Sequence, residues 1–143
     1  MSELPAIGRL LALDVGERRV GVAVCDEGQR LATPLLVLER RSRLEDQARL
    51  QRIAQEQKVV ALLVGHPLNA DSSIGSQAQQ AARYGARMAT ALGLPWLLWD
   101  EYGSSQEAAQ RLAHAPRRRR QMALDAEAAA VILQDYLDRV RTT

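Results

Sequence analysis

The sequence predicts one α/β domain over residues 1–143, and three observations carry that reading. Near the N-terminus three short apolar runs follow one another, separated by glycine-bearing turns. After them a capping signal opens a stretch with helical rather than strand-like spacing. From there to the C-terminus, apolar runs of strand length alternate with helical patterns. Strands that alternate with helices fold as a sheet covered by helices.

The first strand is predicted from Arg9 to Val15 and the second from Val20 to Cys25, joined through Gly16-Glu17-Arg18-Arg19. A third, Leu31 to Leu38, follows the turn around Glu27-Gly28. Short runs joined this tightly suggest hairpins. Ser42-Arg43-Leu44-Glu45 has the form of a capping box, and a polar helix is predicted from there to about Gln57. Val59 to Val64 is apolar throughout, as a strand covered on both faces should be. It empties into the loop from Gly65 to Ser73. The next helix carries Ala78, Ala81, Ala82, Gly85, Ala89 and Leu92 on one face of small side chains, which lets it lie close to a sheet, and Gly93 stops it. Pro95 to Trp99 is the fifth strand. A second capping box, Ser104 to Glu107, opens a short helix with Ala108, Ala109 and Leu112 on one side. Arg117 to Arg120 is read as a basic loop, and Leu124 to Arg141 as the last helix.

Composition narrows the function classes. The chain is 47% hydrophobic and 25% charged, values of an ordinary globular protein, and its lack of Phe leaves Leu, Val, Ile and Ala to build the core. No apolar run approaches the roughly 20 residues of a membrane helix, and the N-terminus lacks a signal-peptide layout, so a cytoplasmic location with no membrane partner is expected. The single cysteine, Cys25, can form neither an internal disulfide nor a cysteine-based zinc site, and its apolar run predicts an inert buried thiol. Of 19 basic residues only Lys58 is a lysine. Arginine's fork suits bidentate phosphate contact, although codon composition explains such a bias equally well.

Three acids stand where an apolar residue would be ordinary. Asp14 follows Leu10 to Leu13 at the carboxyl end of the first strand, and Glu101 lies just past Trp96-Leu97-Leu98-Trp99. Ligands of open α/β sheets gather outside such ends. Asp125 falls on the stripe of Ala129, Ile132, Leu133, Tyr136 and Val140 when the last helix is drawn at about 100° per residue. A carboxylate aimed inward is costly unless a positive charge meets it. The helix N-terminus meets part of that need, and a divalent cation shared with Asp14 and Glu101 would meet more. Oxygen donors without Cys or His suit Mg²⁺ or Mn²⁺. Two such ions can clamp the attacking and leaving oxygens of a phosphodiester.

Leu13 to Ala23, Gly65-His66-Pro67-Leu68-Asn69, Asp100-Glu101, Asp125-Ala126-Glu127-Ala128-Ala129 and Ile132 to Asp138 together resemble the YqgF family, also called RuvX, in order along nearly the whole chain. The resemblance implies a ribonuclease H-like fold with a five-stranded mixed sheet flanked by helices. It implies a metal-dependent nuclease, using Mg²⁺ or Mn²⁺ and two ions, with Asp14, Glu101 and Asp125 as catalytic and metal-holding acids. Two substrates follow from the family: structured RNA at the 5′ end of pre-16S ribosomal RNA, with precursor ribosomal particles as partners, or four-way DNA junctions, which call for a homodimer rather than a monomer. RNA is the favoured reading. The chain departs from the family in having Tyr102, Gly103, Ser104 and Ser105 where an arginine and two threonines are usual, and Ala70 and Ser72 where Met and Gly are usual. The missing arginine puts one phosphate contact in doubt and motivates a third reading, a non-catalytic nucleic-acid-binding relative.

Substrate contacts are expected from Arg18, Arg19, His66, Asn69, Arg117, Arg118, Arg119 and Arg120. Arginines beside an acidic site suit a nucleic-acid backbone, which supplies most non-specific affinity, while the run at 117–120 is equally readable as a solvated segment. His66 and Asn69, with Asp71 and Ser73, fit either a phosphate contact or plain turn chemistry. Asp26 reads as a turn residue and His114 as a helix-end residue. The Asp14-Val15-Gly16 turn is also similar to the phosphate-binding hairpin of the sugar kinase, actin and chaperone ATPases. Those proteins close a second domain over the nucleotide, and this sequence holds neither a Gly-x-x-x-x-Gly-Lys loop nor the dinucleotide-binding glycine pattern.

Overall fold

The computed structural model describes residues 4–65, 74–99 and 117–142, with the side chains of 74–78, 117–124 and 141–142 outside that description. The elements run β1 (Arg9–Val15), β2 (Arg19–Cys25), β3 (Ala32–Glu39), α1 (Arg43–Gln57), β4 (Val59–Gly65), α2 (Ile74–Leu92), β5 (Trp96–Leu98) and α3 (Arg117–Thr142). The sheet order is β3-β2-β1-β4-β5. β1, β2 and β3 pair antiparallel as successive hairpins, whereas β4 and β5 add in parallel beyond β1. This is the mixed five-stranded sheet expected for a ribonuclease H-like fold.

The period-2 alternation of the central strands divides the core in two. Leu11, Leu13, Val20, Val22, Leu62 and Val64 face α1 and α2, where Leu50, Ile53, Ala81, Tyr84 and Met88 meet them. Leu10, Ala12, Ala23, Cys25, Ala61 and Leu63 face the other way, onto Ala129, Ile132, Leu133, Tyr136 and Leu137 of α3. Small residues permit the helices to come close. A side chain at Gly85 of α2 would press on Val64 at 2.7 Å. The cap at α1 forms as expected, with Ser42 Oγ accepting from Glu45 N–H at 3.1 Å. Asp26 is an exposed turn residue that accepts from the Arg30 and Leu31 amides. Cys25 is buried, its sulfur 3.2 Å from the Leu10 amide.

Four expectations are corrected. Residues 117–120 are helical, not a loop: α3 already begins at Arg117. Apolar spacing cannot reveal a helix turn made only of arginines, yet arginine is a good helix former and Pro116 precedes the start in sequence. Val140 is 49% exposed and does not extend the buried stripe of α3. A helix of 26 residues is about 39 Å long and a seven-residue strand about 23 Å, so the sheet cannot cover all of it. β5 is shorter than expected, Trp96–Leu98, and β3 is shifted by one residue, to Ala32–Glu39. The short helix expected around Ala108 lies outside the described residues.

Candidate active site

Alternation along β1 decides where Asp14 points. Leu10 and Ala12 face α3, so Asp14 does as well, at the carboxyl end of the strand. In register, its neighbours are Gly21 on β2 and Gly65 on β4. Both glycines lie where α3 crosses: a Cβ at Gly21 would run into the Asp125 backbone carbonyl, and one at Gly65 would sit 2.7 Å from Ile132 Cδ1. Two residues without side chains therefore let α3 pack directly against the sheet on either side of Asp14, with the backbone of Asp125 over Gly21 and Ile132 over Gly65.

Both carboxyls are out of the ordinary. Asp14 is 5% exposed, and its Oδ1 has no hydrogen-bond partner among the described residues. Burial, and then the nearby Asp125 charge, push its pKa from 3.8 up to about 7. Burial also raises the Asp125 carboxyl, against the opposing Arg19 guanidinium. Arg19 Nε lies 2.8 Å from Asp125 Oδ2, but that oxygen has no well-directed hydrogen bond. We read the contact as an ion pair whose N–H is not aimed at the oxygen.

The structure thus brings Asp14, Asp125 and Arg19 together. Arg18 is exposed in the adjoining β1–β2 turn, and Arg117, Arg118, Arg119 and Arg120 occupy the first turns of α3, on the N-terminal side of Asp125. Glu101, His66 and Asn69 lie outside the described residues, as do Asp71, Ser73, Tyr102 and His114. Among the described residues no three Cys, His, Asp or Glu side chains cluster as a metal site. The buried Asp14 and half-buried Asp125 carboxylates nevertheless fit a hard divalent cation, because they offer oxygen donors, and Asp14 Oδ1 has no partner among the described residues.

A brace behind the site was missed by sequence reasoning. Arg40 Nη1 donates to the Gly16 carbonyl at 3.0 Å, tying down the turn that follows Asp14, and its guanidinium lies 4.7 Å over the Tyr84 ring. Tyr84 Oη donates to Asp46 Oδ2 at 3.4 Å, and Asp46 Oδ1 is held by Arg49 Nη2 at 2.5 Å and the Arg41 amide at 3.1 Å. Burial and the Asp46 charge push the Tyr84 hydroxyl pKa upward, so it stays a donor. One signal for Asp46 did exist, since it shares a helical stripe with Leu50, Ile53 and Ala54. An inward carboxylate met by an arginine one turn on is a structural device; Asp14 has no such partner among the described residues.

Comparison with known proteins identifies the family and the fold. The family model described as "RuvX: Holliday junction resolvase" matches residues 8–139. The chain belongs to the RuvX family. Among curated relatives, the "Putative pre-16S rRNA nuclease" of Cereibacter sphaeroides strain KD131 is 41% identical over 142 residues, covering 98% of this chain and 89% of that protein. The protein of the same name from Anaeromyxobacter dehalogenans strain 2CP-1 is 44% identical over 133 residues, covering 92% and 97%. Among solved structures, RuvC of T. thermophilus in complex with a Holliday junction substrate superposes with a TM-score of 0.59 at 16% identity, covering 94% of this chain and 97% of that one. At that identity the likeness concerns the fold, which this RuvX-family chain shares with RuvC as an α/β, ribonuclease H-like protein. No helix among the described residues is long and apolar enough to cross a membrane.

Proposed function

We propose that this chain is a metal-dependent nuclease that hydrolyses phosphodiester bonds in structured RNA, maturing the 5′ end of pre-16S ribosomal RNA in the cytoplasm. The observation that carries the reading is the pair Asp14 and Asp125, a buried and a half-buried carboxylate from distant parts of the chain that meet at one edge of the sheet, where the Asp125 charge adds to the cost of ionising Asp14. Such a pair is unfavourable in an apo fold and becomes favourable once a cation joins it. In this reading Asp14, Asp125 and Glu101 hold Mg²⁺ or Mn²⁺, two ions in all. Glu101 is two residues beyond Trp99, whose amide donates to Val64 at 2.7 Å beside the Gly65 partner of Asp14. Bound cations supply charge neutralisation at the phosphate and an acidified water. Arg19 keeps Asp125 ionised and is within reach of a phosphate when it lets go. His66, Asn69 and the arginines at 18 and 117–120 steady the strand around the scissile bond.

A second reading, cleavage of four-way DNA junctions, is favoured by the description of the family model and would need two sites in a homodimer. Incubation with precursor ribosomal RNA and with a four-way junction, each with Mg²⁺, Mn²⁺ or chelator, separates the two. The RNA reading expects metal-dependent cleavage of the precursor and a monomer by light scattering. Junction cleavage by a dimer would replace it, and binding without cleavage of either would leave the non-catalytic reading.

A further inference from the structure

The turn after Asp14 and the end of β3 enclose a groove of about 590 Å³ lined by Glu17, Arg18, Arg19, Glu39, Arg40 and Arg41. It opens on the same sheet edge as the acidic pair, because β1 ends and β2 begins there, and the β2–β3 register sets Arg19 opposite Glu39. Arg19 belongs to both places, lining the groove while lying 2.8 Å from Asp125. A volume of this size is typical of ligand pockets, but those are mainly apolar, and this lining is charged. Four guanidiniums outnumber two carboxylates. Arg40 is fixed on the Gly16 carbonyl and the Tyr84 ring and gives the floor its shape. Arg18 has no ion-pair partner among the described residues, and Arg41 only a long contact to Glu45, 3.9 Å between exposed groups, which is worth little.

We propose that this groove is a binding site for the phosphodiester backbone of the strand flanking the bond held at Asp14 and Asp125. The proposal rests on the nuclease reading of that edge and extends its substrate contacts to Arg41 and the β3–α1 junction. Arg18 and Arg41 contact phosphates, while Glu17 and Glu39 weaken binding and keep the strand releasable.

Fluorescence anisotropy with a short labelled single-stranded RNA, in chelator so that nothing is cut, tests it across a salt series. Arg18→Gln and Arg41→Gln should each lower affinity several-fold and flatten the dependence of log K on log salt by about 0.7. Glu17→Gln and Glu39→Gln should tighten binding, which a damaged fold would not do. Arg87→Gln, an exposed position on α2 bordering a separate groove, should change neither quantity. Arginine variants indistinguishable from Arg87→Gln, or glutamate variants that fail to tighten, would overturn the proposal. Because the readout is binding without metal, a protein that binds in this pattern yet never cuts would refute the nuclease reading and leave the groove standing.

Discussion

Thermal unfolding of the metal-free protein is expected to show more stability at pH 5 than at pH 8, with Asp14 responsible for most of the difference. Its carboxyl is raised from 3.8 to about 7 in the folded state, so folding favours the protonated form. The contribution is fully present below the unfolded pKa and disappears as pH rises through the folded one. Between pH 5 and pH 8 the difference corresponds to about 3 kcal/mol, several degrees in Tm for a chain of this size. The upward shift of Asp125 acts in the same direction. Asp14→Asn, which carries no ionisable proton, should remove most of the pH difference, and Mn²⁺ should restore wild-type stability at pH 8. A wild-type protein equally stable at both pH values, or more stable at pH 8, would contradict the burial of an unmatched carboxylate.

The second large effect is catalytic and has the opposite sign to the first. Asp14→Asn is expected to lower metal-dependent cleavage by at least roughly 10²–10³-fold, as several kcal/mol of charge stabilisation are lost. The same variant should be more stable than wild type without metal at pH 8. Activity falling while stability rises distinguishes a ligand from a structural residue. Asp46→Asn supplies the contrast, because Asp46 is buried but bonded to Arg49, Tyr84 and the Arg41 amide. It should lose stability at both pH 5 and pH 8. Single-turnover cleavage assays and denaturant unfolding on the two variants check both statements. Full cleavage by Asp14→Asn would remove Asp14 from the chemistry.

The contrast between these aspartates shows what the sequence makes legible. The three hairpin strands, the capped α1 and the apolar β4 follow from local pattern, since each depends on neighbours in the chain. Asp14 is visible as a charge ending an apolar run, and Asp125 as a charge on an apolar stripe. Their meeting is not a local fact: it depends on α3 packing over Gly21 and Gly65, which the parallel pairing of β1 with β4 sets beside Asp14. The stripe argument also has a blind spot, because Asp46 satisfies it equally and is met by an arginine three residues on. Arg19 reads as a phosphate contact from sequence, yet it is seated on Asp125, a pairing across the sheet that no spacing announces. Arg40 on Gly16 and over Tyr84 is hidden for the same reason. The helical start at Arg117 was obscured by reliance on apolar periodicity, where intrinsic propensity was the informative property.

Titration calorimetry of Mn²⁺ into wild type, Asp14→Asn, Asp125→Asn and the double variant addresses the shared site most directly. If both carboxylates grip the same cation, each single change should weaken binding strongly, and the second change should add much less than its effect alone. Independent, additive losses, or full-strength Mn²⁺ binding by either single variant, would mean that the two acids do not serve one ion.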